Sequence, residues 1–451
     1  MKNRHMHAFN RRRFMASLGI LFGAGALEAK LDSYALGVKN NSDAIIARTA
    51  QKDIWSEVRA QFDLDPSYTH FASFVLAAHP KPVREAIERH CSALDKNTDL
   101  YLSENGGRLA DAVLGAASSY LSADPEDIAL TDSTTMGLGL LYGGLRLKKE
   151  QEILTTEHDF YATHESLRLR AARTGALVRK IALYRDIRRV TIDEIVETIR
   201  LAIRPQTRLL ALTWVHSSTG LKLPIRTIAE MLAKLNANRN IEDRVLLCVD
   251  GVHGFGVENV TVSELGCDFL VSGCHKWLYG PRGTGLIWGK REAWFSAMAT
   301  IPTFDGRSIF AWIQRSEPSD LPLAAAMTPG GYHSFEHRWA LAEAFELHAQ
   351  IGKAQIEARI HLLSRQLKEG LAAMPHVTLY TPIAENLSAG IVCFTISGVS
   401  SEEVVSRLLR KHRIVASVTP YAARYVRFGA SIMNSPEEVQ RALKAIAELR
   451  R

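Results

Sequence analysis

Ser272-Gly-Cys-His-Lys-Trp-Leu-Tyr-Gly-Pro-Arg-Gly-Thr-Gly285 is the stretch on which the reading of this chain turns. The apolar run that leads into it, 269–272, reads as a strand buried on both faces, and the glycine-rich continuation reads as the loop leaving that strand. Lys276 therefore belongs at the carboxyl edge of a sheet, where ligands of open α/β folds collect. Upstream, a second apolar run at 245–249 ends in Asp250-Gly-Val-His253-Gly-Phe-Gly256. Two strands thus deliver an amine and a carboxylate to one crevice. Taken singly, Asp250 is equally a turn residue at a strand end and Lys276 a solvated lysine.

Working outward, further short β-rich runs fall at 128–131, 152–155, 177–181, 208–213 and 285–288. Amphipathic helical patterns lie between them at 136–145, 163–174, 193–203 and 225–235. That alternation predicts an α/β fold, a mostly parallel sheet wrapped by helices. A helix is expected near 43–59. Pro302, Pro318, Pro322 and Pro329 interrupt regular structure over 299–331. A long helix is then expected over 336–370, followed by strands near 391–395 and 425–428 and helices at 402–411 and 436–449. The expected organisation is a large domain over 53–325, with an N-terminal arm, and a smaller α+β C-terminal domain over 326–451.

The Lys276 and Asp250 pair suits pyridoxal phosphate. A lysine amine condenses with the aldehyde, and a carboxylate keeps the pyridine nitrogen protonated so that the ring accepts carbanion charge. The phosphate needs a cradle, and Thr131-Asp-Ser-Thr-Thr-Met-Gly137 joins a strand to a helix with Ser133, Thr134 and Thr135 at the turn. Free N–H groups at a helix start bind anions. An ordinary helix cap is the plain alternative for these residues.

Five marks in order make the chain resemble the class V aminotransferases of the type I pyridoxal-phosphate fold, and within them the isopenicillin N epimerase-like branch. They are Glu157-His158, His216-Ser-Ser-Thr-Gly-Leu-Lys-Leu-Pro224, Asp250-Gly-Val-His253, His275-Lys276-Trp277 and Val426-Arg427-Phe-Gly with Asn434 following. The resemblance runs from about residue 53 to the end, with Cys274 standing where the family usually has a small residue. It implies that Lys276 carries the cofactor as an aldimine, that Asp250 pairs with the ring nitrogen, and that His158 stacks on the ring. It further implies that His253 and Ser217 lie near the ring oxygen, although many relatives have Asn at the position aligned with Ser217. Ser133, Thr134, Thr135 and His275 would hold the phosphate, with Thr328 reaching across from a second subunit of a homodimer. Arg427 would grip the substrate carboxylate, a task suited to the guanidinium fork. His158 is alternatively a polar core residue, and Arg427 an ion-pair anchor.

The implied activity is that of an aminotransferase or epimerase acting on an amino acid, a related amine or a modified peptide. A lyase starts from the same residues. Cysteine desulfurases of this fold use a mobile cysteine as sulfur acceptor, and the stretch Ile414-Val-Ala-Ser-Val-Thr-Pro-Tyr-Ala-Ala-Arg-Tyr425 contains none. A rival of another class is a zinc peptidase, because His333-Ser-Phe-Glu336-His337 matches an HxxEH pattern. No third ligand is marked, so no metal site is expected.

The amino terminus reads as an address. Arg11, Arg12 and Arg13 precede Phe14 and an uncharged apolar stretch over 16–27. This resembles a twin-arginine signal, here assigned to 1–35, which would carry the folded protein to the periplasm through the twin-arginine export machinery. The alternative is a basic tail on a cytoplasmic protein. The stretch is shorter than the roughly 20 apolar residues of a spanning helix, so no permanent membrane span is expected. Export would suit tailoring of a secreted peptide such as a siderophore precursor. Of the net charge of +7, Lys2, Arg4, Arg11, Arg12 and Arg13 supply most before the first acidic residue, Glu28, so no nucleic-acid partner is expected. The five cysteines form no CxxC pair, which argues against a zinc knuckle or a disulfide framework.

Overall fold

The computed structural model describes residues 54–449. The signal read at 1–35 and the first part of the helix expected near 43–59 lie outside the described residues, and the helix is present over Ile54–Arg59. The chain lays down the short strand β1 (Thr69–His70) and then the two long helices Lys81–Lys96 and Thr98–Leu121. Pro82 sits in the first turn of the former, where a missing N–H breaks no helical bond.

The central sheet is built from β2 (Ile128–Thr131), β3 (Glu152–Thr156), β4 (Leu177–Ile181), β5 (Thr207–Thr213), β6 (Leu246–Asp250), β7 (Phe269–Gly273) and β8 (Gly285–Gly289). Their spatial order is β2-β8-β7-β6-β5-β3-β4. The strands from β7 across to β4 are parallel, and β8 runs antiparallel to both of its neighbours. Helices Thr134–Gly144, Tyr161–Thr174, Ile192–Ala202 and Ile225–Asn236 make the connections. Near-continuous apolar runs are what such a sheet requires, because alternate residues enter two different cores. Leu210, Leu212, Leu247, Val249 and Leu270 face one, whereas Leu209, Ala211, Cys248, Phe269 and Val271 face the other.

The helix expected over 336–370 is three: Phe335–Trp339, Leu341–Ile351 and Lys353–Ala372. Gly352 adopts φ +93°, a left-handed backbone that ends one helix and starts the next at a new angle. Beyond them, β9 (Val377–Leu379), β10 (Ile391–Ile396), β11 (Ile414–Val415), β12 (Ser417–Val418) and β13 (Val426–Gly429) complete the strands. Four of them form an antiparallel sheet in the order β12-β13-β10-β9, while β11 pairs in parallel with β1. Helices Ser401–His412 and Pro436–Glu448 pack there, giving a third core with Phe71, Leu367, Phe394, Val404, Phe428 and Ile446. No helix among the described residues is long and apolar enough to cross a membrane.

The segment between β1 and the first long helix laps over both sheets. The Gly429 N–H donates to the Phe71 carbonyl (2.7 Å), and the Ala77 N–H donates to the His275 carbonyl (3.1 Å). Between these two anchors the Phe74 ring lies parallel to the Trp277 indole, with centroids 6.2 Å apart.

Candidate active site

The structure brings Lys276 and Asp250 to the carboxyl ends of neighbouring strands, near enough for each charge to act on the other. Asp250 ends β6, 1 % exposed, and its Oδ1 accepts the Val252 N–H at 3.1 Å. Burial raises its carboxyl pKa to about 6, against the opposing pull of that bond and of the nearby Lys276 charge. Lys276 stands in the turn after β7, closed by Tyr279 N–H to Lys276 carbonyl (3.2 Å) and Gly280 N–H to Cys274 carbonyl (2.8 Å). Burial lowers its amine to about 8, with Asp250 pulling the other way and Arg427 reinforcing the drop. Both shifts ease the loss of charge relative to solvated groups, so a free amine comes within reach just above neutral pH. His253 is buried next to them, its Nε2 3.3 Å from Lys276 Nζ, while the Trp277 indole N–H donates to its Nδ1 at 3.1 Å. Burial, then the charges of Lys276 and Arg427, holds this imidazole well below its usual range.

The anion cradle forms at the start of helix Thr134–Gly144. Ser133 is the cap, its Oγ accepting the Met136 N–H at 3.1 Å. Thr134 is buried and its Oγ1 accepts the Gly273 N–H at 2.8 Å, tying the helix start to the end of β7. These bonds leave the N–H groups of Thr134 and Thr135 pointing out of the first turn, as an anion site requires. Gly273 and Gly285 sit opposite each other on β7 and β8. A side chain on the first would meet the His275 ring at 2.9 Å and Thr134 Oγ1 at 3.1 Å, and on the second the Ser133 nitrogen at 3.1 Å. Only bare backbone lets the turn come this close. The His275 ring thus lies alongside the turn that carries Thr134. Thr328 is engaged within its own chain, its Oγ1 accepting the Leu130 N–H at 3.1 Å.

Arg427, on β13, comes to the same crevice and is 7 % exposed. Its Nε donates to Ser417 Oγ, Nη1 to the Ser217 carbonyl and Nη2 to the Val418 carbonyl, each at 3.2 Å. Its Cζ lies 5.0 Å from the centre of the Phe74 ring. A guanidinium has five N–H groups, so one remains on each terminal nitrogen, which is the pair that a carboxylate takes with its two oxygens. Among the described residues no carboxylate forms a salt bridge with Arg427. The ion-pair alternative therefore has no partner here. Burial lowers the guanidinium pKa, with Cys393 and Tyr421 opposing.

Ser217 is buried, and its hydroxyl shares a hydrogen bond of 2.8 Å with that of Tyr421. Nothing in the sequence singles out Tyr421. The β12–β13 loop turns it inward, held by Thr419 Oγ1, which donates to the Ala423 carbonyl and accepts the Tyr425 N–H. His158 lies at the carboxyl end of β3, with one face stacked on Tyr184 at 4.3 Å and 10°. Its Nε2 accepts the Leu183 N–H at 3.2 Å. Its neighbour Asp159 is a second residue that sequence reading misses. The Asp159 carboxylate takes the Thr213 N–H at 2.6 Å on one oxygen and Thr155 Oγ1, the Thr156 N–H and Thr156 Oγ1 on the other, locking the ends of β3 and β5.

The zinc motif does not assemble. His333 precedes the helix Phe335–Trp339 that carries the other two residues, turns its Nδ1 to the Gly331 carbonyl and packs on Phe335, whereas His337 pairs with Glu336 at 3.3 Å. Elsewhere among the described residues Glu258, Glu357 and His361 cluster, but the Lys222 ammonium, 2.6 Å from Glu258, already occupies that carboxylate.

These residues fit pyridoxal phosphate: an amine with a lowered pKa, a buried carboxyl for the ring nitrogen, a helix-start cradle and an unpaired guanidinium. At the carboxyl end of β5, Thr213 Oγ1 and both ring nitrogens of His216 are buried without a hydrogen-bond partner among the described residues. Such orphans cost about 1–3 kcal/mol each, so a polar ligand is at home here.

The comparisons with known proteins agree. The isopenicillin N epimerase of Streptomyces clavuligerus is 28 % identical over 416 residues, covering 88 % of this chain and 98 % of that protein. A cysteine desulfurase of Klebsiella pneumoniae is 27 % identical over 361 residues, 77 % of this chain and 84 % of its own. The solved structure of C-DES, with glycine covalently linked to its pyridoxal phosphate cofactor, superposes with a TM-score of 0.76 at 22 % identity, covering 86 % of this chain and 99 % of that one. Since the class-V aminotransferase family pattern itself matches residues 90–441, the chain belongs to that family and uses pyridoxal phosphate as its cofactor.

Proposed function

We propose that this chain moves a proton at the α-carbon of an amino acid, or of a related amine or modified peptide bearing a carboxylate, with transamination or epimerisation as the outcome. The observation that carries the reading is Arg427, a buried guanidinium with two N–H groups to spare and no carboxylate of its own, beside the lowered amine of Lys276. When bound, pyridoxal phosphate supplies an aldehyde for amines and a ring that accepts the electron pair left by a broken α-carbon bond. Asp250 would hold the proton of the ring nitrogen. Thr134 and Thr135, with Ser133 and His275, would bind the phosphate, His158 would cover the ring, and His253 and Ser217 would flank its oxygen. Lys276 would take the α-proton as a free base, for which a pKa near 8 is well matched. Arg427 fixes the carboxylate and so the bond that faces the base. In a homodimer, Thr328 would stand near the partner's cofactor phosphate.

Elimination of a β-substituent begins with the same residues and is the second reading, supported by the relatives named for cysteine desulfuration. Passing sulfur through a protein persulfide is disfavoured. The loop 414–425 has no cysteine, and Cys393, whose thiol burial pushes up to about 12, lies wholly buried in β10. Incubation with candidate L- and D-amino acids in D2O separates the outcomes: inversion with deuterium at the α-carbon, a keto acid, or a released β-fragment. Borohydride reduction should fix the coenzyme's mass on the peptide containing Lys276. Label on another lysine, or none, refutes the reading. Export of the folded protein for tailoring of a secreted peptide is a separate proposal, and recovery of the protein only from cytoplasmic fractions would overturn it.

A further inference from the structure

Resting on the reading of Lys276 as the coenzyme's lysine, we infer that Trp277 is a positioning residue: its indole N–H fixes the tautomer of His253 so that the imidazole donates to Lys276 and favours the free amine over the ammonium. An indole nitrogen can only donate. At 3.1 Å from His253 Nδ1 it obliges that nitrogen to be the bare one, which leaves the imidazole proton on Nε2. Nε2 faces Lys276 Nζ at 3.3 Å, and its N–H finds an acceptor there only if the lysine is uncharged. Were Lys276 an ammonium donating to Nε2, the proton would have to sit on Nδ1, against the indole N–H, donor facing donor inside the protein.

The indole cannot turn away. Phe74 lies parallel to one face at 6.2 Å, and a side chain on Gly390 would meet the far edge of the indole at 2.4 Å. Trp277 is 2 % exposed and His253 4 %, so water is a poor substitute for either bond. The charged or titratable groups facing the pair are Asp250 from β6, Arg427 from β13 and His275 from the lysine turn. Asp250 favours the ammonium, Arg427 and His275 oppose charge, and the Trp277–His253 pair adds a directional preference for the amine that those charges do not supply.

The test uses apoprotein and pyridoxal 5′-phosphate, following the rate of coenzyme capture by stopped-flow absorbance as pH is raised. Capture needs the free amine, so the midpoint of the profile reports Lys276. Trp277→Phe removes the donor, frees Nδ1 to carry the proton and lets Nε2 accept from an ammonium, so the midpoint should rise by about one pH unit, a tenfold change in free amine. Replacing Trp277 with 3-benzothienyl-alanine keeps the packing, removes only the N–H and should give the same shift. Nitrogen NMR of labelled histidine in the unaltered apoprotein should place the His253 proton on Nε2. An unmoved midpoint in the benzothienyl protein, or a proton on Nδ1 in the unaltered one, overturns the inference. Capture that survives Lys276→Ala overturns the functional reading instead.

Discussion

Arg427→Ala offers the sharpest test of how the crevice selects its substrate. The guanidinium spends three N–H groups on Ser417, Ser217 and Val418 and keeps one on each terminal nitrogen. A carboxylate bound there gains two charge-assisted bonds, each worth about 1.5–3 kcal/mol when a partner is removed. Allowing for partial rescue by water, the loss in kcat/KM for an amino acid is about 2–4 kcal/mol, roughly 30- to 900-fold. The matching amine without its carboxylate makes neither bond and should lose less than about threefold. Arg427→Lys keeps the charge but not the fork, and should recover only part of the loss. Steady-state kinetics on both substrates, with dissociation constants from coenzyme absorbance, give the comparison. Equal losses on the two substrates would refute the reasoning and make Arg427 a brace for the β12–β13 hairpin.

Asp250 should cost the apoprotein stability. Its folded pKa, about 6, lies above the unfolded value of 3.8, so the folded state holds the extra proton and stability from this group falls as pH climbs through that interval. Asp250→Asn should therefore make the apoprotein more stable than the parent at pH 7, by up to roughly 3 kcal/mol, and leave the two alike below about pH 4; urea unfolding at both pH values reads this, and a variant less stable at pH 7 contradicts it. Asp159→Asn sets an amide N–H against one of four donors. It should speed hydrogen exchange at Thr213, the donor that one oxygen takes alone, by about a hundredfold, and unchanged exchange would mean that the strand ends hold without the carboxylate. Thr134→Val removes the acceptor of the Gly273 N–H and should weaken coenzyme retention roughly tenfold by equilibrium dialysis, whereas full retention would exclude this bond from shaping the cradle.

The two strand-end motifs are legible because strands buried on both faces are written as unbroken apolar runs, and the residues just past such a run lie at the sheet edge. β6 and β7 each end one residue beyond the expected run, which leaves Asp250 and Lys276 at the sheet edge. Helix Thr98–Leu121 is not visible in the same way, since Gly106, Gly107 and Gly115 weaken its pattern and its stability comes from packing on Leu341–Ile351. The break at Gly352 is hidden too, because a glycine inside a periodic stretch is compatible with an uninterrupted helix until its neighbours are known. Contacts between distant segments account for the rest. Tyr421 and Ser217 are 204 residues apart, and Ser217 and Arg427 are 210 apart, so periodicity carries no trace of either pair. Asp159 is overshadowed by His158 beside it, although an acidic residue after a run of threonines at a strand end is a signal worth reading.

The lapping segment before helix Lys81–Lys96 changes where this enzyme begins. The family pattern starts at residue 90, yet Phe74 underlies both Trp277 and Arg427, Phe62 meets Tyr279 edge-on at 5.1 Å, and Ala77 is tied to His275. Tyr279 keeps φ +59° two residues past Trp277, a conformation that a non-glycine residue holds only under restraint, at about 1–2 kcal/mol. A version trimmed to the recognisable stretch would keep all seven strands of the central sheet and lose the clamp on the turn they present. It should bind coenzyme loosely and release it on dialysis, so that its emptiness would be mistaken for a defect in the chemistry.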